Sequence, residues 1–196
     1  MKDDATRSAK PRLRSTAVLA TAAGETALAV AVLVLVQRTS LAQLLHGPWP
    51  LPLQLAGGLS LGALLAVLQV VLLGSLPRWS AFSREAVGNL RLTLADIALI
   101  SVAVGIAEEL LFRAALQPLG GNLLVSILFA AVHVNYVALA RDRANLALSA
   151  LAIGMVFGLS LILGVVFERV GLVAAMLAHG AYDFIVLVAY RRLWRT

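Results

Sequence analysis

The sequence predicts an all-α protein, a polytopic membrane bundle of about six transmembrane helices, and three observations predict it. Of the 196 residues, 61% are hydrophobic and 13% are charged, whereas water-soluble domains average about 45–50% apolar and about 25% charged residues. The apolar residues come in blocks of about the 20 residues that a helix needs to cross the hydrocarbon core. These blocks lack the alternation of barrel strands, so helices remain as the way to satisfy the backbone in lipid.

The apolar blocks also define the expected organisation of the chain. A polar, basic N-terminal tail (1–16) precedes two transmembrane helices joined by a proline-rich loop (17–92), a compact four-helix core (93–190) and a short basic tail (191–196). The expected spans are 17–36, 55–76, 93–112, 123–140, 146–166 and 171–190. The first is longer than the apolar stretch of a signal peptide, so we expect an uncleaved anchor.

The segment 41–54 differs from the spans on either side of it. It contains three prolines, too many for a continuous helix. We expect an interfacial loop anchored by Trp49, and the alternative is a lid over the bundle.

The basic residues predict the orientation of the chain and its surroundings. If both termini are cytoplasmic, 13 of the 16 Lys and Arg residues lie inside, and Arg38, Arg113 and Arg169 lie outside. This bias follows the positive-inside rule and, with no soluble domain in the sequence, indicates a multi-pass protein of a bacterial inner (plasma) membrane. The net charge of +6 suits anionic lipid headgroups. Nucleic acid is not an expected partner, because no aromatic platform accompanies the basic residues.

The predicted spans hold ionisable groups that lipid tolerates poorly. They contain five of the ten acidic residues and two of the three histidines. Such groups face the interior of a bundle and commonly mark a functional site, because a charge in lipid costs at least a few kcal/mol. The residues are Glu25, Asp96, Glu108, Glu109, His133, His179 and Asp183.

Structural roles account for some features of the spans. Asp96 follows Thr93 by three residues, which is the spacing of a helix capping box. Glu25 is alone in the first span, where we expect it to pair with another helix or to be protonated. Gly154 and Gly158 form a small-xxx-small pair, and we expect a neighbouring helix to approach closely there.

The run from Glu108 to Arg113 points to chemistry. Glu109 and Arg113 are four residues apart, so on a helix they can form an ion pair. Glu108 is turned by about 100° around the helix and has no cation nearby in sequence, which suits a general base or acid. The alternative is that both glutamates only join helices together.

Two histidines on later helices complete a candidate constellation. A lone histidine such as His133 is more often a hydrogen-bonded core residue than a catalyst. His179 and Asp183, however, are four residues apart and share one helix face. Together with Glu108, the two histidines can hold a water, protonate a leaving amine and stabilise an oxyanion.

These residues fall into an ordered set of motifs that resembles a known family. EExxxR reads Glu108 to Arg113, FxxxH reads Phe129 to His133, and HxxxN or HxxxD reads His179 to Asp183. The set is similar to that of the CPBP family of intramembrane proteases, also called the ABI or CAAX-processing family. The likeness covers about residues 93–190.

The resemblance implies a glutamic-type peptidase and a role for each motif residue. Glu108 with His133 would activate a water to attack a peptide carbonyl. Glu109 and Arg113 would orient the helix and the substrate, while His179 and the residue at position 183 would stabilise the oxyanion. Prenyl endoproteases of the family carry Asn at the last position. An ionised Asp183 cannot donate a hydrogen bond, so we expect it to orient His179, the alternative being a protonated donor.

The sequence also leads to expectations about the cofactor and the substrate. No HExxH pair and no cysteine is present, so no cofactor is expected, with zinc kept as an alternative because Glu and His are plausible zinc ligands. The expected partners are the lipid bilayer and a membrane-associated protein or peptide substrate.

Two other functions compete with the intramembrane endopeptidase. One is a non-enzymatic immunity or adaptor protein of the same fold, which binds a peptide or a partner membrane protein. The other is a proton-coupled transporter, which is disfavoured because the sequence shows no inverted repeat.

Overall fold

The regular elements of the structure are helices, as the composition predicts. The structure is a computed structural model, and it describes residues 10–74, 76–79, 92–133 and 146–193. The main helices of this part of the chain are α1 (Lys10–Val32, continued by the π-helical segment Leu33–Gln37), α2 (Leu41–Leu45), α3 (Leu51–Leu73), α4 (Leu94–Glu108, continued by the π-helical segment Glu109–Leu116), α5 (Gln117–Val132), α6 (Leu146–Arg169) and α7 (Leu172–Leu193).

Six of these helices correspond to the six expected spans. Within the described residues, four segments are long and apolar enough to cross a membrane, namely Thr16–Gln37, Leu51–Leu73, Leu146–Arg169 and Leu172–Arg192. The expected spans 93–112 and 123–140 correspond to α4 and α5. The expected end at residue 112 is wrong, because helical backbone continues through Leu116 and buries Arg113 in the bundle instead of leaving it in an outer loop. Residues 134–140 lie outside the described part.

The outer surface of the bundle is apolar. Large side chains such as Leu35 on α1, Val71 on α3 and Val102 on α4 are exposed. A helix that shows apolar residues on both its buried and its outer face is typical of a membrane span, which agrees with the membrane protein predicted from composition.

The prolines of the loop start α3 rather than interrupting it. Pro50 is the residue before the helix and Pro52 lies in its first turn, where a missing backbone N–H costs nothing. The second span therefore begins at Leu51 and not at 55. The Trp49 backbone N–H donates to the carbonyl of Val170 at 3.1 Å, so the loop is tied to the connection between α6 and α7.

Small residues set the contact between α3 and α7. A Cβ built on Gly58 would lie 2.9 Å from the Cα of Ala174, and one built on Gly62 would lie 2.9 Å from the Cα of Ala178. Any larger residue on α3 would push the two helices apart.

The predicted close approach at Gly154 and Gly158 is wrong. No described atom lies within 4 Å of a Cβ built at either position. The buried face of α6 is instead the one that carries Ser160, Leu163 and Gly164, and Asn122 of α5 donates to the backbone of this helix. Two glycines four residues apart define one face of a helix, but they do not show that this face contacts a neighbouring helix.

Two contacts bring the site helices together. The π-helical part of α4 packs in one apolar cluster with α1, α5 and α7, through residues such as Ala29, Leu110, Phe129 and Leu172. Where α4 crosses α7, a Cβ on Gly105 would lie only 2.9 Å from the backbone nitrogen of Gly180. Gly105 lies one turn before Glu108, and Gly180 follows His179, so this crossing holds His179 beside the glutamate pair.

Candidate active site

The glutamate pair lies where α4 changes from α-helix to π-helix. Glu108 is the last α-helical residue, and the π-helical segment runs from Glu109 to Leu116. Such segments are rare and occur frequently at functional sites, because the widened turn redirects side chains. Gln37, at the end of α1, donates to the carbonyl of Ala115 in this segment at 2.6 Å. The apolar pattern of this span predicted a regular α-helix, and no residue in it indicates the change to π-helix.

Glu109 and Arg113 form the ion pair that their spacing predicts. Arg113 Nε lies 3.1 Å from Glu109 Oε2, and both side chains are fully buried. Arg113 also donates to Ser160 Oγ at 2.6 Å and to Gln117 Oε1 at 3.3 Å. The buried charge is thus paired and each of the three guanidinium nitrogens has an acceptor, which favours a buried ion pair.

The network around Arg113 extends to α6. Gln117 Nε2 donates to the carbonyl of Gly164 at 3.1 Å and to Glu168 Oε1 at 2.7 Å. The sequence did not indicate Ser160 and Gln117 as partners of Arg113, because a neutral polar residue in an apolar helix does not show which residue it binds.

His179 is oriented by Glu109 and not by Asp183. Its Nδ1 atom lies 2.8 Å from Glu109 Oε1, whereas its Nε2 atom lies 3.6 Å from Asp183 Oδ2. A carboxylate that is paired with Arg113 accepts hydrogen bonds, so Nδ1 is the donor. The expectation that Asp183 orients His179 is therefore corrected. The reason is that the ring's first nitrogen already has a closer acceptor on α4, which sequence distance concealed.

His133 is held in a similar way, by its own helix. Its Nδ1 atom lies 2.7 Å from the carbonyl of Phe129, which can only accept. The imidazole stacks on the Phe129 ring with centroids 4.4 Å apart, and that ring meets Phe112 edge to face at 4.9 Å. The Phe of the FxxxH motif therefore positions the histidine by stacking against its imidazole ring.

Both histidines direct their remaining nitrogen to Glu108. His133 Nε2 lies 3.6 Å from Glu108 Oε1, and His179 Nε2 lies 3.7 Å from Glu108 Oε2. These separations exceed a direct hydrogen bond, and Glu108 Oε2 is a buried atom with no hydrogen-bond partner among the described residues. The carboxylate thus keeps acceptor capacity in a space bounded by two imidazoles.

The other candidate residues lie apart from Glu108, His133 and His179 or at the edge of the site that these three form. Asp96 accepts from the backbone N–H of Thr93 at 2.8 Å, and the reciprocal bond is present, so it is the predicted helix cap. Asp183, whose side chain is 27% exposed, borders the site beside His179. Glu25 is half-buried on α1. Among the described residues, no three His, Asp or Glu side chains form a group that could hold a metal ion.

Comparison with known proteins agrees with the motif pattern. Residues 90–185 match a family model described as type II CAAX prenyl endopeptidase Rce1-like. The matched region contains all seven residues of the three motifs that carry the resemblance, from Glu108 to Asp183. No curated protein and no solved structure matches the chain.

Proposed function

Because the chain belongs, over residues 90–185, to the CPBP family of CAAX proteases, we propose that it is an intramembrane endopeptidase. Its substrate is a membrane-associated protein or peptide, and its nucleophile is a water activated by Glu108 and His133. The membrane is a bacterial inner membrane, with both termini in the cytoplasm. The reaction uses no cofactor.

The proposed reaction begins between Glu108 and His133. A water in this space donates one hydrogen bond to the Glu108 carboxylate and a second to Nε2 of His133, whose Nδ1 is occupied by the Phe129 carbonyl. Glu108 takes the proton as the water oxygen bonds to the carbonyl carbon of the scissile peptide. The carbonyl oxygen becomes an oxyanion, and the C–N bond is still intact at this stage.

His179 serves the second half of the reaction. With Nδ1 donating to Glu109, a protonated ring offers its Nε2–H to the oxyanion. As the tetrahedral intermediate collapses, the C–N bond breaks and Glu108 returns its proton to the leaving amine. Products are a carboxylic acid and an amine, and the site regains its starting protonation state.

One observation carries the proposal: the two histidines present Nε2 to a buried carboxylate that has an unused acceptor atom. Leaving a buried polar atom unpaired costs about 1–3 kcal/mol. An adaptor that kept Glu108 only to join helices would gain by pairing it directly, as Glu109 is paired with Arg113. An enzyme needs the free acceptor for a reacting water.

The proposal is tested by quantitative proteomics of membrane fractions. Cells that lack the protein are complemented with the wild type, with Glu108→Gln, or with Asp96→Asn, which changes the helix cap and serves as the control. We expect proteins that are shortened with the wild type and the control to accumulate at full length with Glu108→Gln. Identical membrane proteomes for wild type and Glu108→Gln would support the adaptor instead.

A further inference from the structure

Glu25 brings a carboxylate to the site from a helix outside the family-matched region. On α1, it lies three residues after Ala22 and four before Ala29, both of which are buried. Residues at this spacing share one face of a helix. That face packs against α4, since Ala29 belongs to the same apolar cluster as Leu110 and Phe112. Glu25 therefore lies on the site-facing side of α1.

The Glu25 carboxylate has no fixed partner in the described part of the chain, where it makes neither a hydrogen bond nor an ion pair. It interacts electrostatically with Glu108, His133 and His179. A half-buried carboxylate in a membrane span is costly to keep. Among the described residues, the expected pairing of Glu25 with another helix is absent, and its position on this face leaves the carboxyl available to a group that arrives with the substrate.

The charge balance of the site indicates the sign of that group. In the described part of the site, Glu108, Glu109 and Asp183 each place a carboxylate oxygen within 4 Å of a histidine nitrogen, and Glu25 interacts with both histidines electrostatically. Within the described residues, Arg113 is the cation that pairs with Glu109, and the other three carboxylates share the two imidazoles. The side chains of His133 and Asp183 are 35% and 27% exposed, so the described edge of the site carries an accessible carboxyl group in a chain whose net charge is +6.

We propose that Glu25 is a specificity-determining residue, which binds a Lys or Arg side chain next to the scissile bond. The inference rests on the proposed endopeptidase function and adds the substrate class. A carboxylate and an ammonium or guanidinium group attract strongly where water is scarce. Because α1 precedes residues 90–185, this preference is a feature of this chain and not of the matched region.

The test uses the full-length protein in proteoliposomes and a peptide library. Each peptide has an apolar anchor segment and a randomised stretch that contains Lys, Gln or Glu at each position in turn. We expect the wild type to cleave basic members with a kcat/KM at least about tenfold above that of neutral ones, a factor that corresponds to about 1.4 kcal/mol. Glu25→Gln should reduce this ratio toward one, mainly through KM, since the lost contact binds substrate and transition state alike. Glu25→Lys should favour acidic members.

The outcomes separate this inference from the proposed function. Asp96→Asn is the control and should keep the preference of the wild type. If the wild type cleaves the library without a basic preference, or if Glu25→Gln keeps that preference, Glu25 has only a structural role and the inference is overturned while the endopeptidase stands. If neither the wild type nor any variant cleaves more than Glu108→Gln, both proposals are overturned.

Discussion

Glu109 lies between Arg113 and His179 and binds both. Its Oε2 atom accepts from Arg113 Nε at 3.1 Å, and its Oε1 atom lies 2.8 Å from His179 Nδ1. The guanidinium pairs with one oxygen of the carboxylate, and the other oxygen accepts from the imidazole nitrogen that faces it. Two adjacent glutamates thus have different tasks. Glu109 binds a histidine, and Glu108 faces the space between the two imidazoles.

The orienting role predicts a strong effect of Glu109→Gln on activity. The amide keeps the size of the side chain but can present its NH₂ group to His179, which would disturb the ring's tautomer. Loss of such a supporting contact typically lowers activity by about 10- to 100-fold. Steady-state kinetics should show the loss in kcat with little change in KM. A loss confined to KM would indicate that Glu109 binds substrate instead.

The same pair predicts energetic coupling between Glu109 and Arg113. Removing one partner of a buried ion pair leaves an uncompensated charge and costs about 3–5 kcal/mol. We expect Glu109→Gln and Arg113→Met each to lower the free energy of unfolding in mixed micelles by an amount in this range. The double variant should lose less than the sum of the two. Strictly additive losses would contradict the pair.

The glycine at the crossing of α4 and α7 predicts a paired result. Gly105→Ala places a methyl group 2.9 Å from the Gly180 backbone nitrogen, which separates the helices and costs about 1–3 kcal/mol. It should also lower activity, because His179 moves away from Glu108. Gly154→Ala is the matched control, since no described atom outside its own helix backbone lies within 4 Å there, and it should be neutral or slightly stabilising. Equal effects of both substitutions would show that the crossing does not position the site.

Asp183 predicts a contrast between two substitutions. Glu109 already orients His179, so the charge of Asp183 is not needed for that purpose. Asn has nearly the same shape and can donate a hydrogen bond to the oxyanion, and the resembling prenyl endoproteases carry it there. We expect Asp183→Asn to keep activity within a few-fold of the parent and Asp183→Ala to lose about tenfold or more. If Asn is as damaging as Ala, the negative charge itself is required.

Local spacing predicted the features of the site that depend on one helix. The Glu109–Arg113 pair and the Thr93–Asp96 cap follow from separations of four and three residues and are present in the structure. The all-helical class followed from composition, because lipid leaves the backbone few alternatives.

Features that depend on how helices meet were not predictable in this way. The bond from His179 to Glu109 joins residues that are 70 positions apart, and the packing of α4 on α7, with its close crossing at Gly105 and Gly180, brings them together. The close α3–α7 contact involves Gly58 and Gly62, although Gly154 and Gly158 have the same spacing. A motif gives the face of a helix, and tertiary packing decides whether that face has a neighbour.

The proposed activation of the attacking water by Glu108 is tested most directly by single-turnover cleavage in proteoliposomes. The purified wild type, Glu108→Gln and Asp96→Asn are compared on a substrate found by proteomics, at equal amounts of folded protein. Gln cannot take a proton from water, so we expect Glu108→Gln to lower the rate of the chemical step by about 100-fold or more. Asp96→Asn should cleave like the wild type. Cleavage by Glu108→Gln at the wild-type rate would contradict the account.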